Sequence, residues 1–154
     1  MTQQLIDGLL TAADWIESGT IEYNWQSAET CNCGILAQAI TGLPPGKIHI
    51  VESIWSKEVN RCDQTGTPIN DIIKTLMEAG MTAKDFVNLE FLVTNGKVPK
   101  FWWNHEINSK PYTKKENVIN YIKKWADRLQ KELNNDKKHQ LNLKLGLNLN
   151  KLIQ

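Results

Sequence analysis

The chain has 154 residues and a formal net charge of +1, with 18 Lys and Arg set against 17 Asp and Glu. One domain of ordinary size fits that length, with a core large enough to need no disulfide or metal staple. Balanced charge, the lack of an arginine-rich arm and the lack of any run near the ~18 apolar residues of a membrane helix exclude nucleic acid and membrane as expected partners.

Charge is uneven along the chain: residues 110–154 carry eleven Lys or Arg and four Asp or Glu, a local +7 that leaves −6 on the first 109. A solvated helix face explains such a run most simply, with a surface for an anionic partner as the alternative. The opening residues Met1 to Leu5 lack the basic and apolar regions of a signal peptide. Three cysteines without such a signal read as thiols rather than a disulfide framework. That points to a cytoplasmic protein, or to an effector exported without a cleaved leader.

In chain order, a first helix is expected from Gln3 to Ser18, with Leu5, Ile6, Leu9, Leu10, Ala13 and Ile16 on its inward face and Gly19 ending it. An ordered loop with Tyr23 and Trp25 leads into Thr30-Cys31-Asn32-Cys33-Gly34. There Thr30 or Asn32 caps a second helix, which stops at Gly42 before Pro44-Pro45-Gly46. Cys33, Leu36, Ala37 and Ile40 share one face of that helix, and Cys31 lies off the stripe. Lys47 to Trp55 fits a short strand or a helix equally. Thr67 and Pro68 open a third helix with Ile69, Ile72, Ile73, Leu76 and Met77 inward and Gly80 at its end.

Thr82 with Asp85 begins a fourth helix through Phe86, Leu89, Glu90 and Phe91, although Asn95-Gly96 would also suit a short β-hairpin over residues 86–102. The helix is preferred because Pro99 weakens a returning strand. The last long helix opens at Thr113, with Glu116 completing a capping box, and buries Val118, Ile119, Ile122, Trp125, Ala126, Leu129 and Leu133. After residue 135 the composition narrows to Leu, Asn and Lys. Leu141, Leu143, Leu145, Leu147 and Leu149 alternate as in an edge strand, or the segment is a loosely held low-complexity tail. The expected fold is mainly α: a single compact domain of about five helices over residues 1–135, with room for one β-hairpin, then a tail over 136–154.

Chemistry concentrates at the cysteine block. Unpaired N–H groups and the positive end of a helix dipole can lower a thiol below its usual ~8.5, so a cysteine in a first helical turn is a candidate nucleophile. Cys33 is that candidate, with a small buried apolar residue as the plainer reading, and Cys31 is the candidate for a more exposed thiol. His105, among Phe101, Trp102, Trp103 and Glu106, is the best placed base, with His49 as runner-up and His139 solvated. Asp127 on the last helix is the candidate acid that would orient the base, or it forms a simple ion pair. Cys31, Cys33 and Cys62 with His49 or His105 have the ligand types for zinc, but the C-x-C spacing is not that of a zinc knuckle. A Cys31–Cys33 disulfide would be strained. No metal or other cofactor is therefore expected.

The block Cys31-Asn32-Cys33-Gly34-x-Leu36-Ala37-Gln38, with Thr41-Gly42-Leu43 after it and Tyr121 and Trp125-Ala126-Asp127 downstream, resembles a group of small bacterial proteins of unassigned activity. More distantly it is similar to papain-like enzymes and to cysteine deamidase effectors of the TecA type. That resemblance implies a Cys-His-Asp arrangement with Cys33 opening a helix, His105 as base and Gln26 as an oxyanion-hole donor. Gln26 stands seven residues before Cys33 where the family has six, and no Asp or Asn follows His105 in an evident strand.

Two functions follow from these residues. One is cysteine-dependent amide chemistry, deamidation or peptide cleavage, on a protein or peptide substrate. The other is a non-catalytic helical module that docks a partner, or a second copy of itself, through Trp102-Trp103 and the basic last helix.

Overall fold

The computed structural model describes residues 2–25, 30–42, 69–100 and 109–153, which contain five α-helices and a 3₁₀ turn. No β-strand occurs among the described residues. The fold is mainly α, as the sequence predicts.

Helix α1 (Gln3–Glu17) starts at Thr2, whose hydroxyl accepts the Leu5 amide at 3.4 Å and donates to the Ala79 carbonyl at 2.6 Å. It buries Leu5, Ile6, Leu9, Ala13 and Ile16 as expected, and Gly19 follows its end at φ +77°. Leu10 is a correction: it is 49% exposed, because it sits about 100° around the helix from the centre of the buried stripe.

Helix α2 (Asn32–Thr41) is the centre of the core, packed on α1 on one side and on α3 (Ile69–Glu78) and α4 (Ala83–Phe91) on the other. Every residue from Asn32 through Gln38 is buried, so the first two turns of the helix have no solvent face, and Cys31 before them is buried as well. Its cap is neither Thr30 nor the side chain of Asn32. Cys31 is the N-cap, and its sulfur accepts the Gly34 amide at 3.4 Å. Gly42 ends the helix at φ +71°, a left-handed position that costs glycine little.

Leu76 on α3 is fully buried, whereas Met77, expected inward, is 53% exposed. Helix α4 starts at Thr82 as expected, through a capping box: the Asp85 amide donates to the Thr82 hydroxyl, and the Thr82 amide donates to the Asp85 carboxylate at 2.9 Å. The chain leaves α4 through Leu92 at φ 51°, and Gly96 donates its amide to the Asn88 side chain at 2.7 Å. Residues 86–91 are therefore helix, not the first arm of a hairpin.

Helix α5 (Lys115–Leu152) is 38 residues long and packs on α1. It starts after Thr113, which lies in a 3₁₀ turn (Pro111–Thr113) and donates its hydroxyl to the Lys110 carbonyl at 2.7 Å. The expected capping box at Thr113 is thus replaced by Lys114, which caps without a side-chain bond. Val118, Ile122, Trp125, Ala126 and Leu129 are buried, and Ile119 and Leu133 pack partly against the core. From Asn134 to Ile153 the described side chains are exposed. The Leu141–Leu149 alternation sits in this helix, where side chains two apart point in different directions instead of lining one face. No helix among the described residues is long and apolar enough to cross a membrane.

Helices α1 and α2 approach closely at Gly8. A Cβ on Gly8 would stand 2.6 Å from Ile40 Cγ1, inside any allowed contact. Gly8→Ala is expected to destabilise the fold by about 1–2 kcal/mol in urea unfolding despite its better helix propensity, with Ile40→Ala in the same chain recovering most of the loss.

Candidate active site

The site forms where the start of α2 meets the end of α4. The last carbonyls of a helix have no partner within it, and those of Leu89 and Glu90 are taken by the side chain of Asn32, whose Nδ2 donates at 2.7 and 3.2 Å. The Trp25 indole N–H adds a 3.4 Å bond to the Glu90 carbonyl. Opposite dipole ends therefore face one another, which is the favourable arrangement. Tyr23 spans the same junction, its hydroxyl donating toward Asn32 Oδ1 at 3.3 Å and to the Tyr112 carbonyl. Trp25 and Tyr112 pack as tilted rings with centroids 4.9 Å apart, and Phe91 meets Tyr112 edge-on at 5.3 Å.

Inside this wall the Cys33 thiol donates to Glu90 Oε2 at 2.7 Å. Cys33 is 3% exposed. Burial pushes its thiol well above the ordinary value, and the Glu90 carboxylate, the Cys31 sulfur and the hydrogen bond to Glu90 push the same way. This reverses the expectation from the helix start. Burial also raises the Glu90 carboxyl above its ordinary 4.5, opposed by bonds from Cys33 and Trp25. Tyr23 is pushed upward too, by burial first and then by Glu90, Cys31 and Cys33. In the resting site the proton stays on sulfur and the carboxylate accepts from it.

Cys31 was the candidate for exposure, but it is 9% exposed and serves as the α2 cap. Both residues are thiols, with no disulfide between them. Asp127 is exposed on α5, and its carboxylate takes the Lys131 ammonium at 2.7 Å, one helical turn on. It is the ion pair, and the carboxylate that meets Cys33 is Glu90. His139 is exposed on the distal part of α5. Gln26, His105, His49, Cys62, Trp102 and Trp103 lie outside the described residues. Among the described residues no group of three His, Cys, Asp or Glu side chains gathers as a metal site would require.

Glu90 is the residue that spacing rules passed over. Its only signal in the sequence is a charge set between Leu89 and Phe91 in the last turn of α4. No protein-family model, curated protein or solved structure matches this chain.

Because folded Glu90 binds its proton more tightly than the unfolded chain does, it adds stability as pH falls from neutrality toward 4.5 and withdraws it as pH rises. Thermal unfolding from pH 4.5 to 7 should therefore show Glu90→Gln gaining on the parent as pH rises, with a midpoint at neutral pH equal to or above the parent's. A neutral-pH midpoint well below the parent's would mean that the ionised carboxylate is required as an acceptor.

Proposed function

We propose that this chain is a cysteine-dependent amide hydrolase in which Cys33 is the nucleophile and Glu90 its proton acceptor. The observation that carries the reading is the 2.7 Å bond from the Cys33 thiol to the Glu90 carboxylate in the first turn of α2. A nucleophile and a base within hydrogen-bond reach is the arrangement that covalent catalysis needs, and a carboxyl raised by burial is a stronger base than one in water.

As sulfur attacks a substrate carbonyl carbon, the S–H bond breaks and its proton passes to Glu90. The carbonyl oxygen takes up the negative charge. The amides of Asn32 and Cys33 precede the first intrahelical bond of α2, which Ile35 donates to Cys31, so they are the donors nearest that oxygen. The protonated Glu90 then gives its proton to the leaving nitrogen, and a thioester remains on Cys33. Water, deprotonated by Glu90, releases the acid and restores the thiol. Peptide cleavage and side-chain deamidation share these steps. Both need a reduced thiol, so the cytoplasm is the setting that suits the reaction.

A nitrophenyl ester of a small acid serves as the acyl donor, read by intact-mass spectrometry. The native protein should gain one acyl group at Cys33, Cys33→Ala none, and Glu90→Gln should acylate about 100-fold more slowly. If the native protein remains unlabelled while the urea-unfolded chain reacts, Cys33 is a packing residue and the hydrolase reading is wrong.

A further inference from the structure

Helix α5 does two different things along its length. Up to Leu133 it lies against the core, and beyond that it continues without a break while every described side chain stands in solvent. Residues 137–152 extend for about 24 Å at the rise of an α-helix. An exposed helix of this length is ordinarily polar all round. This one carries Leu141, Leu145, Leu149 and Leu152 within an arc of about 80°, each more than half exposed. Leu143 and Leu147, also more than half exposed, form a second stripe that continues the buried face of α5.

Charge on this segment has one sign. Residues 137–153 contain four lysines and no Asp or Glu. Lys137, Lys144 and Lys151 recur every seven residues, which places them in one row between the two leucine stripes. On the far side the stripes are separated by His139, Asn142 and Gly146, and the missing side chain of Gly146 leaves a notch beside Leu143 and Leu147.

We infer that the distal half of α5 is a docking helix for an acidic amphipathic helix of another protein, whose carboxylates meet the Lys137–Lys144–Lys151 row while its apolar residues cover the leucines on both sides. Charge selects this occupant. A second copy packed along the same segment would bring lysines against lysines, since residues 137–153 hold no acid, which is repulsive. A lipid surface needs one continuous apolar face, and here His139, Asn142 and Gly146 interrupt it on one side and the lysine row on the other. Helix pairing tolerates such a pattern, because a cationic row beside apolar stripes is how paired helices select a partner by charge.

The inference is independent of the chemistry at Cys33 and is tested on the full chain. The probes are a three-heptad helical peptide with Glu at every seventh position between leucines, its Lys-for-Glu counterpart, and phosphatidylserine vesicles. By fluorescence anisotropy the acidic peptide should bind and the basic one should not. Changing Lys137→Glu, Lys144→Glu and Lys151→Glu together should weaken binding of the acidic peptide at least about tenfold. These residues are exposed, so the variant should keep the parent's unfolding midpoint, and it should gain affinity for the basic peptide. Binding to the vesicles with no preference between peptides would overturn the proposal. So would a stable dimer of the chain alone that the triple variant abolishes, or equal binding of both peptides, or binding of neither.

Discussion

Asn32 joins two helix ends that would otherwise each need a separate solution. Its side-chain nitrogen reaches the Leu89 and Glu90 carbonyls at the end of α4, while its own backbone begins α2. A buried carbonyl left without a donor costs about 1–3 kcal/mol, so the two bonds make it possible for α4 to end inside the protein. Once that junction is set, the remaining placements follow. Cys33 is one residue further into α2, Glu90 is in the last turn of α4, and the two side chains meet.

The junction also decides the electrostatics. A helix start is worth about 0.3–1 kcal/mol to a nearby anion, whereas removing a charge from water costs several kcal/mol even after the protein relaxes. Two anions side by side in this pocket would incur the second cost twice. The thiol therefore keeps its proton, and a carboxylate stands in the place where the helix start would otherwise have favoured a thiolate. The helix start by itself does not lower the Cys33 thiol, because that end of α2 faces the C-terminal end of α4 rather than solvent or a cation.

Local signals were legible wherever they were redundant. Thr82 with Asp85, Gly19, Gly42 and Gly80 mark ends by side-chain or backbone chemistry that acts over a few residues, and the Val118–Leu129 stripe of α5 repeats often enough to set its own phase. Thr113 misled because its hydroxyl had a competing acceptor, the Lys110 carbonyl. Leu10 and Met77 misled because apolar character does not say how wide a buried stripe is. For α2 the helical phase carried no information, since all sides of Asn32–Gln38 are covered and burial no longer depends on which way a residue points. Glu90 was illegible for a different reason. Its meeting with Cys33 spans 57 positions, and no local pattern reports a contact that only tertiary packing creates.

The cap of α2 is a sulfur atom. It is also buried, so an electrophile or oxidant reaches the Cys31 sulfur only when the start of α2 opens. The rate at which this thiol is modified measures how often the helix start opens, rather than how nucleophilic the sulfur is. Because Asn32 and Cys33 are the next two residues, each such opening also loosens the hold on α4 and on the Glu90 carboxylate, so oxidative damage at a residue with no chemical role of its own would reach the site through the backbone.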